Sequence, residues 1–465
     1  MWNTINIFLK AVDDFVWGVP LMVLIMAGGI MLTVRLGLLQ MRKLPLALKW
    51  MVKNGEITSF GALCTALSAT IGTGNIVGVA TAVGAGGPGA LFWMVLAAFF
   101  GMATKYSEGF LAVKYRVIGK DGHSLGGPFY YIEQGMGAKW KWLAKIFAFF
   151  GVCVGLFGIG TFSQVNGISS AVNNFFDPKN QHTVKVLPFL GEYSCSVVIA
   201  SLVLAFCVAA VLIGGVKRIA SVSQIIVPFI VFVLVLVVCN ITAVPAAFAT
   251  IVKAAFSPKA ITGGAVGSFL VAMQKGVARG IFSNEAGLGS APIAAAAAQT
   301  KEPVRQGLVS MTGTFIDTIV ICTLTGLSIV LTGAWQVDGL EGVQVTTYAF
   351  QNGLPLPKEL SAFVLMLCLV FFAFTTILGW DYYSERCLEY LSGGRMKYVK
   401  VYRWIYILAV FIGPYMTVSA VWTIADIFNG LMALPNMIAL FALSGVVVKE
   451  TKHFFERHRN GEIED

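Results

Sequence analysis

Long apolar runs separated by short polar stretches make up almost the whole chain. Each run is long enough to cross the hydrocarbon core of a bilayer as a helix, which takes about 20 residues. The eleven runs lie near residues 15–35, 60–84, 89–113, 143–175, 190–214, 219–241, 265–297, 304–333, 360–391, 401–421 and 424–448. The pattern predicts an all-α integral membrane protein with eleven transmembrane helices.

Ten of the eleven predicted helices fall into two groups of five. The groups occupy residues 59–241 and 264–448, and because five is odd they begin on opposite sides of the membrane. This is the arrangement of an inverted repeat, although the two halves share no obvious motif. The remaining segments are an extra N-terminal helix with a cytoplasmic linker (1–58), an external connection (242–263) and a cytoplasmic tail (449–465).

Composition supports a membrane protein and excludes other classes. Of the 465 residues, 57% are hydrophobic and 12% are charged, against about 25% charged in soluble domains, and the mean hydropathy is +0.79. A net charge of +10 could indicate a nucleic-acid partner, but the basic residues are scattered among short loops, so we expect no nucleic acid. All four histidines lie in polar stretches and no catalytic motif is present, so we expect no enzyme.

The distribution of Lys and Arg predicts the orientation of the chain. Roughly four times as many lie on one side of the predicted helices as on the other, and basic loops stay in the cytoplasm. The N-terminus is therefore expected outside and the C-terminus in the cytoplasm. No cleavage site follows the first apolar run, which favours a retained helix of a multi-pass plasma-membrane protein. We expect the inner membrane of a prokaryote.

The first predicted helix of each half is interrupted by glycine and small polar residues. The interruptions cover residues 69–75 and 279–287. Glycine permits non-helical backbone, and the carbonyls and amides released there are costly in lipid unless they line a cavity or meet a ligand. Half-helix N-termini suit a carboxylate, and freed carbonyls suit a hard cation such as sodium. The alternative is that these glycines serve only close helix packing.

Four segments resemble the alanine or glycine:cation symporter family. They are GGPGALFWM at 86–94, TGNI at 73–76, GGPFYYI at 126–132 and FSNEAGLGSAP at 282–292. One departure is Val95, where the family signature usually shows tryptophan. The resemblance implies a LeuT-like fold of five plus five inverted helices preceded by one extra helix. It also implies sodium as the coupling ion, no organic cofactor, and small neutral amino acids as substrates.

The same resemblance implies a sodium site beside the first interruption. Its carbonyl oxygens would come from Ser68 and Ile71, and its hydroxyls from Thr375 or Thr376 on the ninth predicted helix. Neutral oxygens of this kind suit a monovalent ion. The alternative is that both hydroxyls bond back to carbonyls of their own helix.

For the substrate we expect backbone groups of both interruptions, with polar side chains beside them. The expected backbone groups are those of Gly72, Thr73 and Gly74 and of Phe282, Ser283 and Asn284. Asn75 and Gln164 would add amide contacts, and Trp380, one helical turn after Thr376, would limit substrate size. The alternatives are that the amides only bridge helices and that the tryptophan only packs.

Several charged side chains lie within or close to the predicted helices. They are Lys105, Glu108, Lys275, Arg279, Glu285, Asp317, Asp381 and Asp426. Because an isolated charge in lipid is costly, each is expected to pair or to face water. A gate built from Arg279 or Lys275 and an acid such as Glu285 is one hypothesis, and a static ion pair is favoured over it.

Together these features predict a sodium-coupled secondary active symporter that works as a monomer in the bilayer. It would import alanine and glycine, with serine and glutamine as further candidates, by alternating access between the two broken helices. The alternatives are a proton-coupled amino-acid carrier of the same fold and, from another class, a channel, whose pore would need polar rings repeated around an oligomer.

Overall fold

Helices account for most of the described chain. The computed structural model describes residues 2–53, 70–119, 124–187, 191–214, 226–256, 269–298 and 300–462. Within lipid, a backbone N–H or C=O group without a partner is so costly that a lone spanning segment has to satisfy its own groups as a helix. The prediction of an all-helical integral membrane protein agrees with these elements.

The first part of the chain forms twelve described α-helices and two short hairpins. The helices are α1 (Trp2–Val16), α2 (Val19–Arg35), α3 (Leu39–Arg42), α4 (Leu44–Lys53), α5 (Val77–Gly86), α6 (Gly89–Lys114), α7 (Pro128–Tyr130), α8 (Lys141–Phe157), α9 (Phe162–Phe176), α10 (Cys195–Gly214), α11 (Ile226–Cys239) and α12 (Val244–Ala255). The antiparallel strand pairs are β1 (Val117–Ile118) with β2 (Ser124–Leu125), and β3 (Thr183–Leu187) with β4 (Gly191–Ser194). Short 3₁₀ turns cover Thr73–Asn75, Ala138–Trp140 and Ile241–Ala243, and Tyr131–Gly135 is π-helical.

The second part forms eight more described α-helices. They are α13 (Phe269–Asn284), α14 (Ala291–Ala295), α15 (Pro303–Thr314), α16 (Thr323–Leu331), α17 (Val343–Gly353), α18 (Lys358–Ser392), α19 (Met396–Ile412) and α20 (Val418–Arg459). A π-helical segment, Phe315–Cys322, joins α15 to α16, and 3₁₀ turns cover Ala334–Gln336 and Gly413–Tyr415.

Seven helices of the described residues are long and apolar enough to cross a membrane. They are Ile7–Arg35, Gly89–Lys114, Ala138–Phe176, Cys195–Leu212, Pro303–Leu331, Lys358–Ser392 and Val418–Arg459. The pair Phe229–Cys239 and Ile241–Ala255, bent by 72°, raises the number to eight if it is one span. Parts of the predicted helices 60–84, 219–241 and 265–297 lie outside the described residues, so the count of eleven, the inverted repeat and the orientation stay predictions.

Several helix boundaries differ from the sequence prediction, and two of the differences change the architecture. The single run predicted at 143–175 is two helices, α8 and α9, separated at residues 158–161. A Cβ atom at Gly160 would lie 2.8 Å from Trp380 Cβ, so glycine there lets this break pack against α18. The last helix, α20, continues to Arg459 rather than ending near residue 448, so the predicted tail is helical at its start.

Helix α6 packs along both α13 and α15, and α8 packs along α18 and α20. Small residues allow the close approach of α6 and α15, since a Cβ atom at Gly307 would lie 2.8 Å from the Tyr106 carbonyl oxygen. Close packing of this kind is how helices associate inside a membrane. It places the buried face of α6 against the chain that follows α13.

Candidate functional site

The first interruption lies at the start of the described segment 70–119. Gly72 is non-helical (φ −148°, ψ −144°), Thr73–Asn75 forms a 3₁₀ turn, and α5 begins at Val77. The Asn75 side chain stabilises this turn, because its Oδ1 accepts a hydrogen bond from the Gly72 N–H at 3.0 Å. The backbone therefore breaks where the sequence predicted it would.

Gly72 is required by space rather than by an unusual φ. A Cβ atom at this position would lie 2.6 Å from Thr376 Oγ1 and 2.7 Å from Gln164 Oε1. Side chains of α9 and α18 thus reach the first break from two directions, and only glycine admits both.

The second interruption begins later than the predicted 279–287, because residues 279–284 still belong to α13, and it separates α13 from α14. Glu285 has φ +58°, and Gly287 and Gly289 have φ of +90° and +81°. A left-handed conformation costs a non-glycine residue roughly 1–2 kcal/mol, so surrounding contacts must hold Glu285 in it. The Asn284 side chain contributes, since its Oδ1 accepts the Ala286 N–H at 2.9 Å.

The two breaks lie side by side in the interior. A Cβ atom at Gly74 would be 3.1 Å from Ser283 Cα, so the two backbones are nearly in contact there. The residues predicted to bind substrate or sodium that are buried around this contact are Ile71, Gly72, Thr73, Gly74, Asn75, Gln164, Phe282, Ser283, Asn284, Thr375, Thr376 and Trp380. Ser68 lies outside the described residues.

Gln164 links the first break to the short non-helical segment between α8 and α9. Its Oε1 accepts the Thr73 N–H at 3.0 Å, and its Nε2 donates to the Ile159 carbonyl at 2.9 Å. The bridging role that the sequence left as an alternative is thus present. The same contact places the amide of Gln164 on a backbone N–H predicted to meet the substrate.

The two adjacent threonines of α18 behave differently. Thr376 Oγ1 lies 3.1 Å from the Ile71 carbonyl oxygen and 3.0 Å from that of Phe372. The Thr375 hydroxyl donates to the Phe372 carbonyl of its own helix at 2.9 Å. Of the two hydroxyls proposed for sodium, the structure therefore brings only Thr376 to a carbonyl of the first break.

Asp317 connects both breaks and is the main residue of the site that sequence reasoning did not assign. Its Oδ1 accepts from Asn75 Nδ2 at 2.7 Å, and its Oδ2 accepts from the hydroxyls of Ser283 and Thr318, each at 2.7 Å. It lies in the π-helical segment 315–322, and π-bulges are frequent at functional sites. An acid in an apolar run was the available signal, but its partners could not be read from the sequence.

Trp380 reaches the second break rather than packing among apolar groups alone. Its indole Nε1–H donates to Glu285 Oε1 at 2.8 Å, and the Ser290 hydroxyl donates to the other oxygen of that carboxylate. The side chain of Trp380 is fully buried. The carboxylate of the strained residue therefore sets the orientation of the indole ring.

Two charged residues of α6 also hold the second break. Lys105 Nζ donates to the Asn284 carbonyl at 2.8 Å, at the C-terminal end of α13 where a positive charge is favoured. Glu108 Oε1 accepts from the N–H groups of Gly287 and Gly289, both at 3.1 Å. These two charged side chains thus form hydrogen bonds with backbone groups that have no helical partner at the break.

Arg279 pairs with Asp426 and not with Glu285, which corrects one hypothesis from the sequence. The pair is bidentate, at 2.8 and 2.6 Å, and the guanidinium lies 4.5 Å from the ring centroid of Trp422. Glu285 lies beyond the end of α13, in the left-handed backbone of the break, and its carboxylate is bound by Trp380 and Ser290 instead. Trp422 in turn packs on Phe282, with ring centroids 4.6 Å apart.

A cavity of about 250 Å³ lies beside this aromatic pair. Its lining includes Trp422 and also Gly167, where an added Cβ atom would collide with Thr73 of the first break. Its remaining lining is mostly polar: Ser163, Asn166, Ser170, Asn173, Asn174, Asn180, Glu341, Gly342 and Gln344, with Val77, Pro178, Val343 and Val418. The lining of the cavity runs from Gly167 to the end of α9 and on to Asn180, so the cavity lies close to the first break.

Comparisons with known proteins show which proteins the chain resembles. The chain matches the model of the sodium:alanine symporter family over residues 2–465. The sodium/alanine symporter AgcS of Methanococcus maripaludis is 46% identical, over 97% of this chain and 98% of the relative. The probable sodium/glutamine symporter GlnT of Bacillus subtilis is 37% identical, over 97% and 90%. An uncharacterised transporter of Haemophilus influenzae is 54% identical, over 98% and 97%.

Proposed function

The chain belongs to the sodium:alanine symporter family, and from that premise we propose that it imports small neutral amino acids together with sodium by alternating access. Family membership makes it a multi-pass membrane transporter and not an enzyme, with sodium as the coupling ion. We propose that the site lies where the two breaks meet. The observation that carries this proposal is the contact of Gly74 with Ser283, bridged by Asp317 through Asn75.

We place the sodium ion against the first break. The Ile71 carbonyl and the Thr376 hydroxyl are already 3.1 Å apart, and a hydroxyl can turn its lone pairs towards a cation. Ser68 would complete the set from beyond the described residues. Hard cations prefer oxygen ligands, and neutral oxygens suit an ion that has to be released again.

We place the substrate carboxylate and amine on the backbone of the two breaks. The Thr73 N–H is held by Gln164, and a neutral hydrogen bond of about 1 kcal/mol can be exchanged for a stronger one to a carboxylate. Carbonyl oxygens near Phe282 and Asn284 would accept from the ammonium group. Asn75 would position both breaks, because its amide is already shared between Gly72 and Asp317.

Close packing around the site favours small substrates. Gly72 and Gly74 admit no added side-chain atom without displacement of Thr376, Gln164 or Ser283, and Trp380 is buried nearby. We therefore propose alanine and glycine as the primary substrates, with serine next. Glutamine would test the upper limit of substrate size, since one relative is named as a probable sodium/glutamine symporter.

The sodium gradient supplies enough energy for accumulation. One sodium ion moving down a potential of about 100 mV releases roughly 2.3 kcal/mol, and a tenfold gradient adds about 1.4 kcal/mol. Together these sustain a concentration ratio of a few hundredfold for the substrate. Coupling also requires that sodium raise the affinity for alanine by the same factor as alanine raises the affinity for sodium.

We further propose that opposite sides of the site open in turn. On one side, the Arg279–Asp426 pair and the packing of Trp422 on Phe282 would close the path from the polar cavity, whose lining includes Trp422. On the other side, Lys105 and Glu108, which bind the backbone of the second break, would take part in the closure. We place the protein in a prokaryotic plasma membrane, working as a monomer.

A proton-coupled carrier of the same fold is the second candidate, and one observation favours it. Among the described residues, no Lys or Arg side chain forms an ion pair with the buried carboxylate of Asp317. Such a group could carry a proton. A relative from Bacillus subtilis, 36% identical, is named as a putative sodium/proton-dependent alanine carrier.

The variant Asp317→Asn separates the two candidates, because an amide keeps the size of the carboxylate and cannot take up a proton. If sodium is the coupling ion, alanine uptake into proteoliposomes still follows an inward sodium gradient, with a loss of at most about tenfold from the weaker hydrogen bonds. If the proton is the coupling ion, uptake driven by a pH gradient disappears in the variant while alanine exchange continues.

A further inference from the structure

Away from the two breaks, a strongly basic cavity opens between the end of α2, the α3 segment and the last turns of α20. Its volume is about 560 Å³, within the range of pockets that bind small molecules. Five of its lining side chains are basic: Arg35, Arg42, Lys43, Lys452 and Arg459. His458 also lines it, and its only lining acid is Glu456.

The basic side chains of this cavity differ from basic residues at other helix ends that are paired with acids. Lys141 pairs with Glu133 at 2.7 Å, and Arg386 pairs with Glu389 at 2.6 Å. In the part of the chain that the structure describes, none of the five basic side chains of the cavity forms an ion pair. The positive-inside rule accounts for basic residues on this side of the membrane, but not for their collection, uncompensated, around one cavity.

The environment of Lys43 shows the effect of positive charges placed close together in this cavity. Partial burial, together with the positive charges of Arg42 and Arg459, lowers the pKa of its ammonium group. Its Nζ lies 4.3 Å from the ring centroid of Phe455, which fixes it at the wall of the cavity. An anion in the cavity would relieve the repulsion among these three side chains.

We propose that this cavity binds the phosphate headgroup of an anionic phospholipid. Arginine guanidinium groups bind phosphate oxygens in pairs and lysine adds a point charge, so the donor set suits a phosphodiester. Basic pockets between membrane helices on the cytoplasmic side are typical headgroup sites. On the predicted topology, this end of the bundle faces the cytoplasmic leaflet.

Apolar side chains beside the cavity indicate a lipid rather than a free phosphate ion. Val34, Leu38 and Met41 are 70%, 46% and 61% exposed. They flank Arg35 and Arg42 along the chain, at the end of a membrane-spanning helix. Acyl chains would cover these side chains while the headgroup occupies the basic cavity.

The test is native mass spectrometry of the full-length protein in detergent with an equal mixture of phosphatidylglycerol and phosphatidylcholine of the same acyl chains. The wild-type protein should retain phosphatidylglycerol over phosphatidylcholine by about tenfold or more, since each basic residue near a headgroup contributes about fivefold. The double variant Lys43→Gln, Arg459→Gln should remove this preference. The charge-conserving variant Lys43→Arg, Arg459→Lys should keep it.

A matched control and a competitor complete the experiment. The double variant Lys397→Gln, Lys400→Gln removes two exposed basic residues from the start of α19 and should leave the preference unchanged. Inorganic phosphate in excess, compared with potassium chloride at equal ionic strength, should not displace the lipid. Equal retention of both lipids by the wild type, an equal loss in both glutamine variants, or selective displacement by phosphate would each overturn the proposal.

Discussion

The two breaks at the centre of the protein are held by different kinds of contact. Neutral groups hold the first: the Gln164 amide on the Thr73 N–H, the Asn75 amide on the Gly72 N–H, and the Thr376 hydroxyl on the Ile71 carbonyl. Charged groups make most of the contacts at the second, beside the neutral Asn284 amide on the Ala286 N–H. Lys105 and Glu108 bind its backbone, and the carboxylate of Glu285 binds Trp380.

This difference indicates that the first break binds and releases ligands, whereas the second break is a rigid support. Neutral hydrogen bonds contribute about 1 kcal/mol each, whereas those with a charged partner contribute about 1.5–3 kcal/mol. The first break can therefore exchange its present partners for sodium and substrate at low cost. The second break is the more rigid element, and Asp317 ties the first to it through Asn75 and Ser283.

The largest effect is expected from added volume at the first break. Gly72→Ala places a methyl group 2.6 Å from Thr376 Oγ1 and 2.7 Å from Gln164 Oε1, so the sodium and substrate groups have to separate. Sodium-driven alanine uptake should fall by about 100-fold or more, as displacements of this size do at other precise sites. Gly84→Ala, in the same broken helix with nothing within 4 Å, is the control and should keep wild-type uptake. Equal losses in both variants would mean that the helix tolerates no substitution and would remove the argument for Gly72.

Loss of a charged side chain at the second break should lower the stability of the folded protein. Glu108→Ala leaves the buried N–H groups of Gly287 and Gly289 without an acceptor, at a cost of about 1–3 kcal/mol each. We expect the melting temperature of the purified protein to fall by several degrees. Glu450→Ala, which removes a half-exposed partner of Lys114, should change it much less. Equal melting temperatures for the two variants would show that the charges do not hold the break.

The two threonines of α18 test the sodium assignment with adjacent residues. Thr376→Ala removes the hydroxyl beside the Ile71 carbonyl, and the sodium concentration for half-maximal uptake should rise about tenfold. Thr375→Ala removes a hydroxyl that bonds within its own helix, and the change should stay below about twofold. A larger shift for Thr375 than for Thr376 would contradict the assignment.

The smallest effect is expected on substrate selection. Trp380→Ala removes the ring that Glu285 orients, and uptake of larger neutral amino acids such as glutamine should rise a few-fold relative to alanine. Trp93→Ala removes a tryptophan that bonds the Ala255 carbonyl on another face of the bundle. Competition between labelled alanine and unlabelled glutamine measures the ratio, which should change only in the first variant.

Sequence reasoning found both breaks because glycine and small polar residues stand out in an apolar helix, but it began the second at residue 279, whereas α13 continues to Asn284. The same reasoning could not separate Thr376 from Thr375, since the direction of each hydroxyl depends on how α18 rotates against the first break. It also missed the break before α9. Gly160 there signals close packing, but the partner, Trp380, is 220 positions away along the chain.

The sequence shows which charged residues lie within the predicted helices, but it does not show which residues they pair with. Their positions marked them as costly in lipid, but pairing depends on which helices meet. Arg279 meets Asp426 because α13 approaches α20, and Asp317 reaches Asn75 because a π-helical segment faces the first break. Neither approach leaves a periodic pattern in the sequence.

The most direct test of the central claim is uptake of radiolabelled alanine into proteoliposomes that contain the purified protein. One set receives an inward sodium gradient, and a parallel set receives an equal potassium gradient with a pH gradient. Accumulation with sodium alone, lost when Asn75 is changed to alanine, is the predicted result. Equal accumulation under both conditions, or full sodium-driven uptake in the Asn75→Ala variant, would contradict a sodium-coupled site between the two breaks.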